Sequence, residues 1–199
     1  PGTAEAAKIR TWTGAEGLAS DVRSYGQWVA STAKTRIGHI YPDSAVLDGS
    51  CAAVMAWIWA RTVQCPNPAC GIEMPLVRSW WLSKKTGKQA YIVPTVIQDA
   101  TRDSGLRVQF EVRHDSVGPQ QEGTMSGRKG GVCIACASVV PKEYIKAQGI
   151  SHRIGAALMA VIAEGSRKRN YLSPTAEQES AANIDAPTDV PDQELGYDP

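Results

Sequence analysis

This 199-residue chain lacks long hydrophobic runs and most of the side-chain patterns that enzymes use for catalysis. No apolar stretch approaches the roughly 18 residues that identify a transmembrane helix, and no signal peptide opens the sequence. The three histidines show neither metal-binding nor nucleophile spacing, and phosphate-loop and hydrolase motifs are missing. These absences argue against membrane insertion, secretion and a self-contained active site, and they predict a cytoplasmic protein.

The charges are distributed unevenly along a chain whose composition is otherwise that of a globular protein. The formal net charge is only +1, but the stretch from Arg61 to Arg169 holds 16 Lys/Arg against 8 Asp/Glu, a local net charge of +8. Seven acids and no basic residue follow Arg169. We therefore expect any nucleic-acid contacts in the central stretch. The chain starts without methionine and ends within its acidic stretch, so we expect an internal fragment of a larger protein.

Four of the five cysteines form two close pairs, Cys65 with Cys70 and Cys133 with Cys136. Two close pairs far apart in sequence suit a tetrahedral zinc site, because each pair can occupy one edge of the tetrahedron. Gly71 can adopt the left-handed conformation that directs backbone N–H groups at the sulfurs. The spacing therefore predicts a zinc site formed by these four cysteines.

Other interpretations of the cysteines stay open. The pairs can be disulfides or buried thiols, and Cys133 with Cys136 can form a redox motif, although that leaves the first pair without a role. An iron–sulfur cluster usually has cysteines closer together in sequence. Zinc is favoured, as a structural ion, because four cysteines leave no open coordination position. The fifth cysteine, Cys51, is expected to be a small buried hydrophobic residue.

The patterns predict an α+β fold, with an N-terminal helix, a zinc-ribbon-like antiparallel β region, short helices and a disordered acidic tail. Thr13 and Glu16 have capping-box spacing, and an apolar face follows at helical intervals until Gly38 ends the helix. The predicted divisions are a linker at 1–12, a helical segment at 13–53, a zinc-ribbon-like β insert at 54–140, a mixed return to the parent domain at 141–183, and an acidic linker at 184–199.

Within these divisions the alternation of side chains predicts individual elements. Trp57 and Trp59 fall on one face of the first strand, where a core role is favoured over base stacking. Residues 156–164 fit either a helix or a strand, and we favour a strand. Strands are predicted at 54–63, 90–96, 106–113 and 156–164, a lysine-rich hairpin turn at 84–88, a mobile loop at 115–131, and short helices at 141–149 and 175–183.

Several short stretches of the sequence resemble those of a known protein family. They are 57–71 (WIWARTVQCPNPACG), 75–79 (PLVRS), 144–147 (YIKA) and 171–175 (YLSPT), with 21–26 and 36–39 before them. Together they resemble the adenine-specific DNA methylases that contain a zinc ribbon. The chain departs from that family at Ala137, where glycine is usual, and an alanine forced into the left-handed region costs about 1 kcal/mol.

The resemblance implies a parent protein that transfers a methyl group from S-adenosylmethionine to the adenine N6 of DNA. The ribbon is then an insert in its methyltransferase domain that either helps to bind DNA or braces the catalytic domain. The family's glycine-rich cofactor motif and Asp-Pro-Pro-Tyr motif lie outside these residues. We therefore assign no catalytic or cofactor-binding residue here and expect the fragment alone to be inactive. The alternative is a free-standing zinc-ribbon module that binds nucleic acid or protein. Candidate DNA contacts are Lys84, Lys85, Lys88, Arg128, Lys129, Arg167, Lys168 and Arg169.

Overall fold

The computed structural model describes residues 12–45, 49, 51–127, 130–164 and 169–183. The fold is α+β, as predicted, with one long N-terminal helix followed by antiparallel strands and two short helices. The chain divides into two compact units, Pro1–Tyr41 and Pro42–Pro199. The predicted acidic linker at 184–199, and the predicted N-terminal linker apart from Trp12, lie outside the described residues.

The first unit is helix α1, Glu16–Ile37, followed by a short 3-10 helix, Gly38–Ile40. The predicted capping box is not formed, because the Thr13 hydroxyl donates to the Glu16 carboxylate at 2.8 Å instead of accepting from a backbone N–H. The helix ends before Gly38 as predicted, although this glycine has a right-handed φ of −59°. No residue of the described helix is buried, so its apolar face is exposed within this unit.

The elements of the second unit are β1 Ser44–Ala45, β2 Cys51–Ala52, β3 Val54–Gln64, β4 Glu73–Pro75, β5 Trp81–Ser83, β6 Ala90–Gln98, β7 Leu106–Arg113, β8 Gly131–Val132, β9 Val139–Val140, α2 Lys142–Ile150, β10 Gly155–Ala163, β11 Asn170–Leu172 and α3 Ala176–Ala182. They include two main antiparallel sheets, the first with the strand order β11-β10-β3-β4 and the second with the order β5-β6-β7. Two-residue strands also pair, β1 with β2 and β8 with β9. Helix α2 precedes β10 in sequence, and α3 follows β11.

The predicted strands form where the alternation places them. Along β7, Val108 and Phe110 are buried, while Gln109 and Glu111 are exposed. The ambiguous stretch at 156–164 is strand β10, because it pairs with β3 on one side and β11 on the other. The lysine-rich turn joins β5 to β6 as a hairpin, as predicted.

The core of the second unit surrounds the cysteine pairs. Ile72, Met74 and Trp80 are almost fully buried and belong to the same apolar cluster as Cys65 and Cys70. Cys65, Cys70 and Cys133 are therefore part of the hydrophobic core of the second unit, whereas Cys136 is exposed. None of the helices in the described part of the chain has the length and apolar character needed to cross a membrane.

The prediction that the loop at 115–131 is mobile is wrong for the central part of the loop, which is hydrogen-bonded to the end of β4 and the segment after it. Thr124 is buried, its hydroxyl donates to the Pro75 carbonyl, and it accepts from the Val77 N–H at 3.0 Å. Its own N–H donates to the Val77 carbonyl at 2.8 Å, and the Trp80 N–H donates to the Glu122 carbonyl at 3.1 Å. Such buried, reciprocal hydrogen bonds belong to an ordered segment.

Two further predictions need correction. Cys51 is exposed, because it lies in a two-residue strand whose only described pairing is with β1. Helix α2 runs one residue past Gly149 to Ile150, since the C-terminal hydrogen bonds extend to Ser151. Helix α3 does start as predicted, with the Thr175 hydroxyl accepting the Gln178 N–H at 3.2 Å.

Candidate metal centre

The four paired cysteines converge on one point of the second unit. Their Sγ atoms all lie within 4.8 Å of one another, and this cluster can hold a metal ion. The sulfurs of Cys65 and Cys136 are 3.7 Å apart, and those of Cys70 and Cys133 are 3.8 Å apart. Four sulfurs placed 2.3 Å from a central zinc at tetrahedral angles would be roughly 3.8 Å apart. The cluster therefore has the dimensions of a tetrahedral thiolate site.

The first cysteine turn, residues 65–71, is built by the end of β3 and the start of the segment leading to β4. The Cys65 N–H donates to the Ile72 carbonyl at 2.8 Å, which closes the turn. Inside it, the N–H groups of Cys70 and Gly71 both donate to the Asn67 carbonyl at 3.0 Å. Gly71 has a φ of +57°, which confirms the predicted left-handed conformation.

The second cysteine turn, residues 133–138, joins β8 to β9. The Cys133 N–H donates to the Ser138 carbonyl, and the Ala137 N–H donates to the Cys133 carbonyl, both at 2.9 Å. Ala137 has a φ of +58°, the same conformation as Gly71 in the first turn. Ala137 therefore adopts the left-handed conformation that glycine adopts without strain, which for alanine costs about 1 kcal/mol.

Backbone N–H groups point at three of the sulfurs. Asn67 donates to Cys65, Ile72 donates to Cys70, and Ser138 donates to Cys136. These hydrogen bonds favour the charged thiolate, whereas burial opposes it. The result is that burial raises the pKa of Cys65 and Cys70, despite the N–H donors.

Cys136 differs from the other cysteines of the cluster, because it is exposed. The Ser138 hydroxyl, 3.2 Å from its sulfur, is the main cause that lowers the pKa of Cys136 to about 6, and the Ser138 N–H adds to the effect. A cation at the centre of the cluster would favour the thiolate at all four positions, because metal ligands bind deprotonated.

Asn67 and Ser138 support the site, and neither is predicted from the sequence. The Asn67 side-chain amide lies 3.7 Å from the Cys136 sulfur and donates to the Ser138 hydroxyl at 3.2 Å, so it links the two turns. The side-chain oxygen of Asn67 accepts from the Ala69 N–H at 3.0 Å. An asparagine between two prolines does indicate a turn. The contact with the second turn leaves no sequence signal, because it joins residues about 70 positions apart.

The structure locates four of the eight candidate DNA contacts. Lys84, Lys85 and Lys88 are exposed together in the turn between β5 and β6, and the Lys84 ammonium lies 5.9 Å from the Trp81 ring centre. Arg169 is exposed directly before β11. The other four candidates, Arg128, Lys129, Arg167 and Lys168, lie outside the described residues.

Comparisons with known proteins do not assign the chain to a family. No protein-family model, no curated protein and no solved structure gives a significant match. The candidate metal centre therefore stands on the geometry of the chain itself. Three of its four cysteines are buried, and the fourth is hydrogen-bonded to Ser138 and near Asn67.

Proposed function

We propose that this chain is the zinc-ribbon insert of an S-adenosylmethionine-dependent adenine-specific (N6) DNA methyltransferase, and that it binds one zinc ion. The observation that carries the zinc assignment is the separation of the sulfurs, 3.7 and 3.8 Å, in a cluster of four cysteines. The methyltransferase assignment rests on the sequence resemblance described above. Thiolates in such a site require a reducing compartment, which fits a cytoplasmic protein.

Zinc suits this cluster of four thiolates. Four thiolates in a tetrahedron are typical of structural zinc, and the N–H donors at Cys65, Cys70 and Cys136 support their negative charge. With all four positions taken by protein, the ion has no place for water or substrate. Its role is to join the two cysteine turns, and so to hold the β3–β4 region against the β8–β9 region.

The chemistry of methyl transfer belongs to the remainder of the proposed parent protein. That domain would bind S-adenosylmethionine and the adenine, which must be flipped out of the duplex. Residues 12–183 would contribute by contacting DNA phosphates or by supporting the catalytic domain. The exposed turn with Lys84, Lys85 and Lys88 favours phosphate contact, since clustered lysines attract the backbone without reading sequence.

A titration of duplex DNA at several salt concentrations tests the phosphate contacts. Replacing Lys84, Lys85 and Lys88 by glutamine is expected to weaken binding and to reduce the slope of log affinity against log salt by up to about 0.9 per lysine. The matched control replaces Lys142 and Lys146, which are exposed on α2. Support of the catalytic domain becomes the better account in either of two cases. In the first, the unaltered chain does not bind DNA at low salt; in the second, both variants lose the same DNA affinity.

The genomic sequence on either side tests the methyltransferase assignment separately. We expect a glycine-rich cofactor motif upstream and an Asp-Pro-Pro-Tyr motif downstream in the same reading frame. A reading frame without them would favour the second candidate, a free-standing zinc-ribbon module for nucleic-acid or protein binding. For such a module, the apolar face of α1 favours a protein partner over nucleic acid, because Leu18 and Tyr25 are 69% and 70% exposed.

A further inference from the structure

The second unit contains an open cleft that involves none of the four clustered cysteines. Its volume is about 800 Å³, and it lies among the facing ends of β3 and β10, the first half of β7, and α3. Ligand sites typically have volumes of roughly 300 to 1,000 Å³. The cleft is therefore large enough for a ligand of several rings.

Trp59 lines this cleft, whereas its neighbour Trp57 is tied to the rest of the fold. The Trp57 indole N–H donates to the side-chain oxygen of the buried Gln178 at 2.9 Å. Trp59 instead stays 41% exposed. A bulge lies next to it, since Trp59 pairs with Leu158 and the register then shifts before Ala160. Bulges redirect side chains and are common beside binding sites.

The cleft also carries polar groups suited to the edges of nucleobases. Gln64, Gln148 and Asn183 line it. The amides of Gln64 and Asn183 offer both donors and an acceptor, whereas the Gln148 oxygen already accepts from Arg153. The Thr62 hydroxyl, in a side chain that is 2% exposed, has no hydrogen-bond partner among the described residues. A Cβ on Gly155 would come within 2.6 Å of that hydroxyl, so glycine is the residue that fits beside it.

Three arginines and three carboxylates line the cleft, and Arg153 is the arginine that forms no ion pair in the described part of the chain. Arg102 lies 3.5 Å from Glu73, and Arg107 lies 3.2 Å from Asp99, so both already have carboxylate partners. Arg153 donates through Nε to the Gln148 side chain at 2.8 Å and has no carboxylate partner in the described part of the chain. Its guanidinium can therefore pair with an external anion.

Trp59 and Arg153 line the same cleft at different positions along β10. Trp59 pairs with Leu158 inside this strand, whereas Arg153 lies two positions before Gly155, the first residue of the strand. A ligand that contacts both side chains therefore extends along the first part of β10.

We propose that this cleft binds a short single-stranded segment of nucleic acid, with one unpaired base stacked on Trp59 and a neighbouring phosphate beside Arg153. Aromatic stacking plus a cation along the backbone is how single strands are held without sequence preference. The proposal goes beyond the proposed function, because it uses neither the metal, nor the methyltransferase assignment, nor the lysine turn.

The test measures binding of a fluorescently labelled eight-nucleotide DNA by anisotropy at low salt. We expect Trp59→Ala to weaken binding roughly 5- to 150-fold, the loss that corresponds to one stacked base. Trp28→Ala is the matched control, because Trp28 is also exposed, at 57%, but lies on α1. Arg153→Gln should reduce the salt slope by about 0.7, the value for one phosphate of a single strand.

An abasic oligonucleotide of equal length separates stacking from phosphate attraction. We expect the unaltered chain to bind it as weakly as Trp59→Ala binds the base-containing strand. Metal content and thermal midpoint show whether the Trp59→Ala variant is folded. If it is not folded, the abasic comparison and the binding of the Trp59→Phe variant test the stacking contact instead. The proposal is overturned if the unaltered chain does not bind, if Trp59→Ala binds as tightly as the unaltered chain, or if removing the bases changes nothing.

Discussion

The two cysteine turns differ in length and sequence, but in each the residue after the second cysteine has the same left-handed φ. Gly71 follows the first pair with a φ of +57°, and Ala137 follows the second with a φ of +58°. Glycine adopts this conformation without strain, whereas alanine does so at a cost of about 1 kcal/mol. The second turn therefore has a conformation that the local preference of alanine disfavours, and the hydrogen bond from the Ala137 N–H to the Cys133 carbonyl is formed in that conformation.

The turns also differ in their surroundings. Both cysteines of the first turn are buried, whereas Cys136 in the second is exposed and has its pKa lowered to about 6. Asn67 reaches from the first turn to Cys136 and Ser138, so the first turn helps to position the second. We therefore expect the second turn to depend more strongly on the bound metal than the first.

Metal removal should have the largest effect. Apparent binding free energies of structural zinc, about 10 to 16 kcal/mol, are comparable to the whole stability of a domain. A chelator should therefore increase hydrogen exchange across 54–140, starting in the second turn, while α1, in the other compact unit, serves as an internal control. Unchanged exchange around the cysteines would show that the fold does not depend on the metal.

Asn67→Ala should have an intermediate effect, because it removes the link between the turns but no metal ligand. Loss of such supporting contacts typically lowers metal affinity 10- to 100-fold. Competition with a colorimetric chelator measures the change, and Gln98→Ala, an exposed amide on β6, is the matched control. Equal affinities in the two variants would mean that the turns are positioned independently.

Exchanging the two left-handed residues should have the smallest effect. Ala137→Gly is expected to stabilise the metal-bound chain, and Gly71→Ala to destabilise it, each by about 1 kcal/mol. A Cβ on Gly71 has room, with its nearest neighbour at 3.6 Å, so only the backbone conformation is tested. Denaturant midpoints at saturating zinc measure both free energies of unfolding, and changes of the same sign would contradict the comparison.

The features that the sequence predicts correctly are local ones. The spacing of the cysteines, the left-handed position at Gly71, the alternation along β7 and the cap at Thr175 all depend on residues close together in the chain. Patterns over a few positions carry that information directly. This is why the elements and the cysteine turns could be predicted in detail.

The features that the sequence did not reveal depend on contacts between distant segments. Thr124 fixes its loop to Val77, which is 47 positions away, and Asn67 reaches Ser138 across 71 positions. Trp57 and Trp59 look equivalent in sequence, and only the partner Gln178, 121 positions from Trp57, separates their roles. No local pattern indicates which distant segment a side chain will meet.

Metal analysis of the purified chain tests the central claim most directly. Native mass spectrometry should show one zinc ion per chain, and the ion should be lost from the Cys70→Ser/Cys136→Ser double variant. Cys51→Ser should keep it, because that exposed cysteine lies outside the cluster. A chain with no stoichiometric zinc, or a double variant that retains it in full, would contradict the account.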